Sequence, residues 1–177
     1  TSSSAVSTLS SCNIASINNA NYAQGRTPNT GYWAIQSNGG NSITDNVTGH
    51  LNTQNWTGAE VVLRKYRWVT DKFKIASQSG NTISFSNSGD GIQNGFGYFL
   101  QNDTRTLDLQ NEWSYSTTTK KFSIYSTTVP SNIQIPILET GIDVNGKNYI
   151  TIDGLAIKGF NTTGVSYSGL DYITVKN

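Results

Sequence analysis

Short runs in which apolar and polar residues alternate, separated by clusters of Gly, Asn, Ser and Pro, recur along most of this chain. A period of two sends successive side chains to opposite faces, so each run predicts a half-buried β-strand. The first is Cys12-Asn13-Ile14-Ala15-Ser16-Ile17, followed by the turn-rich Asn18-Asn19-Ala20-Asn21. Gly25-Arg26-Thr27-Pro28-Asn29 predicts a loop, and Trp33 and Ile35 alternate on the next short strand. Residues 36–57 are polar, with Ile43 and Val47 as their only β-branched apolar side chains.

The strongest segment runs from Ala59 to Ile75. Val61, Leu63 and Val69 share one parity; Val62, Arg64, Tyr66 and Trp68 share the other. A helix over 59–67 would be tolerated by its composition, but the clustering of Val, Tyr and Trp predicts one long strand. Gly80-Asn81 then turns the chain into the alternating Asn81-Thr82-Ile83-Ser84-Phe85. Gly95-Phe96-Gly97-Tyr98-Phe99-Leu100 predicts an aromatic strand. Glu112-Trp113-Ser114-Tyr115 and Lys121-Phe122-Ser123-Ile124-Tyr125, joined by a short polar loop, predict a β-hairpin with Trp113 in the core.

Beyond Pro130 the texture changes. Ile133, Ile135 and Ile137 alternate, and Gly141-Ile142-Asp143-Val144-Asn145-Gly146 turns the chain. Tyr149-Ile150-Thr151-Ile152 then returns as Tyr172-Ile173-Thr174-Val175. A unit this short cannot bury its apolar face alone and must stack on copies of itself, which predicts a solenoid. Asn145, Asn148, Asn161 and Asn177 fall at or near its turns and are expected to bond along the stack. Asn177 directly follows a strand of the second copy, so the expectation is a fragment, with further coils or another molecule covering that end.

Composition agrees with an all-β chain. Ile, Val, Leu and Phe supply 40 of 177 residues, enough for a thin core, while Ser, Thr and Asn number 21, 22 and 20. Charged residues make up 13%, against roughly 25% in an average domain. A net charge of +1 gives no field to gather nucleic acid or an anionic membrane. No apolar run reaches the roughly 20 residues of a membrane span. Cys12 is the only cysteine, so no intrachain disulfide forms.

Several segments together resemble a known group. Gly25-Arg26-Thr27-Pro28-Asn29, Gly58-Ala59-Glu60-Val61-Val62-Leu63-Arg64, Trp68, Ser79-Gly80-Asn81-Thr82-Ile83, Gly97-Tyr98-Phe99, Leu107-Asp108, Glu112-Trp113-Ser114-Tyr115, Lys121-Phe122-Ser123-Ile124-Tyr125 and Tyr149-Ile150-Thr151-Ile152-Asp153-Gly154 stand in a characteristic order. The series is similar to secreted bacterial right-handed parallel β-helix proteins of the pectin-lyase-like superfamily, whose helix is interrupted by an antiparallel, sandwich-like insertion. The resemblance implies such an insertion over 1–130 and truncated parallel β-helix coils over 131–177. It implies an extracellular or cell-surface location in bacteria. Relatives include polysaccharide lyases, glycoside hydrolases and proteins without an assigned activity, so it implies a fold and a habitat but no particular reaction.

Candidate chemistry is sparse. Asp153 and Asp171 lie in the repeat, but at different positions within it, so they do not make the carboxylate pair of a glycosidase. His50 stands in a polar loop and reads as a surface histidine. One His and one Cys exclude a structural zinc site. No catalytic residue is assigned. Arg64, Lys65, Arg67, Lys72 and Lys74 against Glu60 and Asp71 give residues 60–74 a charge of +3. On one strand, Arg64, Tyr66 and Trp68 would share a face suited to an acidic glycan, since flat rings stack on sugars and Arg pairs with carboxylates. The carbohydrate-contact candidates are therefore Arg64, Tyr66, Trp68, Arg67, Trp33 and Trp56. No metal site and no cofactor is expected here; Ca2+ is a candidate only for a full-length protein. The expected partners are a polysaccharide and the remaining β-helix, supplied by the same or another chain. The competing expectation is a structural or adhesive surface protein using the helix as a rigid scaffold.

Overall fold

The computed structural model describes residues 2–5, 10–86, 91–169 and 171–177. The strands in chain order are β1 (Ser2–Ala5), β2 (Ala15–Ile17), β3 (Ala20–Tyr22), β4 (Arg26–Thr27), β5 (Trp33–Ala34), β6 (Ser37–Asn38), β7 (Ser42–Thr44), β8 (Glu60–Arg64) and β9 (Thr70–Ser79). They continue as β10 (Thr82–Phe85), β11 (Gly97–Gln101), β12 (Trp113–Ser116), β13 (Lys121–Ile124), β14 (Ile133–Gln134), β15 (Thr140–Asp143), β16 (Thr151–Asp153), β17 (Thr163–Ser166) and β18 (Thr174–Lys176). Two short 3-10 turns, Leu51–Thr53 and Thr104–Thr106, are the only helical segments among the described residues. The chain is all-β.

The largest sheet runs β4-β11-β8-β9-β10-β7-β6, with β5 also on β11. Its inner face buries Ile43, Val61, Leu63, Ile75, Ile83, Tyr98 and Leu100 together with Leu51 and Trp56 from the loop between β7 and β8. A second cluster joins Cys12, Ala15 and Ile17 to Trp113, Tyr115, Phe122 and Ile124. It lies between the β14-β2-β3 sheet and the β1-β13-β12 sheet. Burial raises the Cys12 thiol to about 11, so this side chain is packing material and not a nucleophile.

Gly25 joins the two cores. Its N–H donates to the Trp113 carbonyl at 2.9 Å, and its carbonyl accepts from Thr106 Oγ1 at 2.8 Å. A Cβ there would come within 2.7 Å of the Thr106 carbonyl oxygen, so no other residue fits. Next to it Arg26 and Thr27, expected in a loop, pair with β11. The Arg26 guanidinium lies 3.6 Å from the Phe99 ring centroid and donates to the Pro28 and Gly31 carbonyls.

The expected single strand over 59–75 is two strands. Glu60 pairs with Lys74 and Arg64 with Thr70, and Lys65 N–H donates to the Val69 carbonyl at 2.9 Å. Folding back lets Val61 and Leu63 enter the core while β9 extends to meet β10. Residues 36–57, read only as polar, contain β6 and β7, and Ile43 on β7 is buried between β10 and the edge strand β6. The hairpin of β12 and β13 forms as expected, with Trp113 opposite Ile124 and Trp113 buried.

Toward the C-terminus the pairing becomes parallel. β15 pairs with β17 and β16 with β18, always between residues 23 apart: Ile142 with Val165, Ile152 with Val175. The Tyr149 and Tyr172 rings stack 4.7 Å apart with planes 7° from parallel. The turn asparagines bond between rungs, as Asn145 Nδ2 to Ser166 Oγ and Asn177 Nδ2 to Asp153 Oδ1 do. Of the alternating isoleucines before this region, Ile133 and Ile137 are exposed. β14 is only two residues long and pairs antiparallel with β2.

Candidate functional site

The hairpin connecting β8 to β9 presents four of the six sequence candidates at one tip. They do not share a strand face, because Tyr66, Arg67 and Trp68 lie in the turn that interrupts the expected strand. The tip is braced from inside. Lys65 is buried, an uncommon state for a lysine, and its Nζ lies 2.9 Å from Asp71 Oδ2 and 5.8 Å from the Phe73 ring. Arg64 Nη2 donates to the Arg67 carbonyl at 3.0 Å, which closes the turn from outside. Tyr66 lodges against Gly91, where a Cβ would come within 2.4 Å of its hydroxyl oxygen.

On this frame the Trp68 indole is 84% exposed and Tyr66 40% exposed. The Arg67 side chain is exposed beside them. A broad aromatic face held in water by a braced turn is available to stack on a flat or ring-shaped apolar surface, and a neighbouring guanidinium can donate a bidentate pair of hydrogen bonds to an anionic group.

The other two candidates lie elsewhere. Trp56 is 2% exposed and belongs to the main core, with the Arg105 guanidinium 5.3 Å from its ring centroid. Burial removes it as a ligand contact. Trp33 is half-buried on β5, stacked on His50 at 4.2 Å and edge-on to Tyr98. His50 itself is not a free surface side chain. Its Nδ1 lies 2.7 Å from Oδ2 of the fully buried Asp45, which also accepts from the Tyr98 hydroxyl at 2.7 Å and from Val47 N–H at 2.9 Å. Burial, together with the bond to Asp45, pushes the Tyr98 hydroxyl well above its ordinary range, so Tyr98 stays protonated as a donor. The five-residue spacing of Asp45 and His50 carries no helical or strand signature, which is why the pair was not legible.

Also unread in the sequence is a cleft of about 600 Å³ at the opposite end of the β8–β9 hairpin. One wall carries Glu60 and Lys74, another Asn102, Asp103 and Thr104. The third is the β12–β13 hairpin with Ser114, Ser116, Lys121 and Ser123 and the connecting Thr117, Thr118 and Thr119. Its parts lie on three separated segments, and only the sheet topology unites them. Asp153, one of the acids in the repeat, pairs with Lys176 at 3.2 Å. Among the described residues, no three of His, Cys, Asp and Glu converge as a metal site, and no helix is long and apolar enough to cross a membrane.

No family model and no curated protein matches this chain. A solved structure named "Glycoside hydrolase" is similar to it, with a TM-score of 0.65 and 15% sequence identity over 85% of this chain. The chain spans 31% of that structure's length. The two share a fold over that region.

Proposed function

We propose that this chain is a polysaccharide-binding part of a secreted, carbohydrate-directed protein built on a right-handed parallel β-helix. The observation that carries the reading is the hairpin tip, where Trp68 stands in solvent beside Tyr66 and Arg67 on a turn braced by the buried Lys65 and its partner Asp71. An indole left in water adds little to folding stability, and with Tyr66 and Arg67 beside it forms a contiguous surface free to meet a ligand. A sugar ring covers it with its C–H face, and Arg67 addresses hydroxyl or carboxylate oxygens.

The fold shared with a glycoside hydrolase structure supports the carbohydrate theme. The parallel pairs at a constant 23-residue offset support the β-helix. Leu138, Leu155 and Val175 around those pairs are exposed, which suits a surface on which further coils of the full-length protein stack.

Affinity electrophoresis through gels containing neutral and acidic polysaccharides tests the reading. The wild-type chain is expected to be retarded in at least one gel, and Trp68→Ala is expected to lose about tenfold in affinity, which is about 1.4 kcal/mol and within the range of about 0.5–1.5 kcal/mol for a stacked aromatic contact. Equal mobility of both proteins in every gel contradicts it. A rigid-spacer role predicts that equality.

A further inference from the structure

The cleft between the β8–β9 hairpin and the β12–β13 hairpin is a second candidate site, remote from the tip. Glu60 and Lys74 form the cross-strand pair at the base of β8–β9, whereas Trp68 lies beyond Arg64 and Thr70 at its other end. Four residue steps along β8 separate the two rows, on the order of 13 Å at the strand rise per residue.

The charges lining the cleft balance formally, with Glu60 and Asp103 against Lys74 and Lys121. Their partners remove that balance. Glu60 accepts from Gln101 Nε2 at 3.0 Å and Asn102 Nδ2 at 2.8 Å, and Lys72 Nζ lies 3.5 Å from it. Asp103 accepts from the backbone N–H, Nε and Nη2 of Arg105, at 2.9, 2.7 and 2.6 Å. Both carboxylates are therefore already engaged, each beside a cation that does not line the cleft, Lys72 for Glu60 and Arg105 for Asp103. Among the described residues Lys74 Nζ has only the Thr118 hydroxyl, at 3.1 Å, and the Lys121 side chain has no hydrogen bond or ion pair. Neither ammonium lies within 4 Å of a carboxylate there. Two ammonium groups without counter-charges face a space otherwise walled by Ser and Thr hydroxyls and the Asn102 amide.

We infer that this cleft binds the anionic group of a carboxylated or sulfated oligosaccharide. Lys74 and Lys121 take the acidic group, and the serine and threonine hydroxyls take the sugar's own hydroxyls. An ammonium–anion bond in a partly enclosed cleft is stronger than one on open surface, and hydroxyl walls suit a ligand that presents many donors and acceptors. The sugar class rests on the carbohydrate reading above; the site does not depend on Trp68.

Isothermal titration with a short oligouronate, a sulfated oligodextran and an uncharged oligodextran tests this. The proteins are wild type, the double variant Lys74→Gln/Lys121→Gln, and Trp68→Ala. Wild type is expected to bind at least one acidic oligomer. The lysine variant should lose about tenfold or more on that oligomer, as expected for lost charge-assisted bonds. It should keep any affinity for the uncharged one, and its circular dichroism spectrum should be unchanged because both lysines are exposed. Trp68→Ala should retain acidic binding that salt weakens. Which acidic oligomer binds distinguishes carboxylate from sulfate recognition. Unchanged acidic affinity in the lysine variant, or loss of acidic binding in Trp68→Ala alone, overturns the cleft while leaving the tip intact. Absence of binding to all three oligomers by wild type overturns the cleft.

Discussion

Two buried tryptophans differ in what their ring N–H groups meet. Trp113 Nε1 donates to the Tyr22 carbonyl at 2.7 Å, whereas Trp56 Nε1 is buried with no partner among the described residues. A buried donor without an acceptor costs about 1–3 kcal/mol. Trp56→Phe should therefore stay within about 1 kcal/mol of wild type, because removing the orphan donor offsets the lost packing. Trp113→Phe leaves a carbonyl unsatisfied and should lose about 2 kcal/mol. Urea unfolding of the two variants checks the difference. Two carboxylates are held below their ordinary range by their hydrogen bonds. Burial pushes the Asp103 carboxyl up, but its bonds from Arg105 outweigh this and hold it below its ordinary value. Bonds from Thr162, Asn161 and Ser10 hold Glu139 down as well. Groups depressed in the folded state contribute stability that is present above their ordinary values of 3.8 and 4.5 and is lost as pH falls through the folded ones. The melting temperature should fall below about pH 4.5, and Glu139→Gln should flatten part of that fall. A flat profile in wild type would contradict the assignment.

Hairpins differ in how plainly their turns are written. Gly80 with φ of +55° joins β9 to β10, and the two alternating runs around Ser116–Lys121 announce β12 and β13, so both were legible. The β8–β9 turn has no Gly, Pro or Asn between Arg64 and Thr70; it is held by the buried Lys65 and its Asp71 partner, long-range facts that alternation does not encode. The sequence therefore read the tip residues as a strand face, whereas Tyr66, Arg67 and Trp68 form a turn. The 23-residue repeat was legible because parallel stacking puts like side chains over like, and Thr151 does pair with Thr174. Asn161 shows what a repeat hides. Its side chain donates to the Ser11 carbonyl, Ser11 Oγ and Glu139 Oε2, and accepts from Asn13 N–H, tying the first strands to the parallel rungs. The amide is fully used and buried, which disqualifies it as a glycosylation acceptor despite its Asn-Thr-Thr context. Asn161→Ala should cost about 3 kcal/mol, from several lost bonds and stranded partners, and calorimetry can measure it.

At the scale of the whole molecule, two apolar cores meet at Gly25 and carry a set of parallel rungs whose own core is thin. Val144 and Ile152 are its buried aliphatic residues, while Leu138, Leu155 and Val175 remain exposed. All-β class could be read from composition, but the division of labour could not: it depends on which sheets pair across long sequence separations. The proposed glycan contact of the antiparallel portion is the β8–β9 tip. Trp68 is the most exposed of the four tryptophans, with Trp56 and Trp113 buried and Trp33 half-buried. Intrinsic fluorescence during titration with the polysaccharide that retards the chain most is therefore the most direct measurement. The account predicts a saturable blue shift in wild type as Trp68 leaves water, and none in Trp68→Ala. A shift that survives in Trp68→Ala, or binding with no shift in wild type, would contradict it.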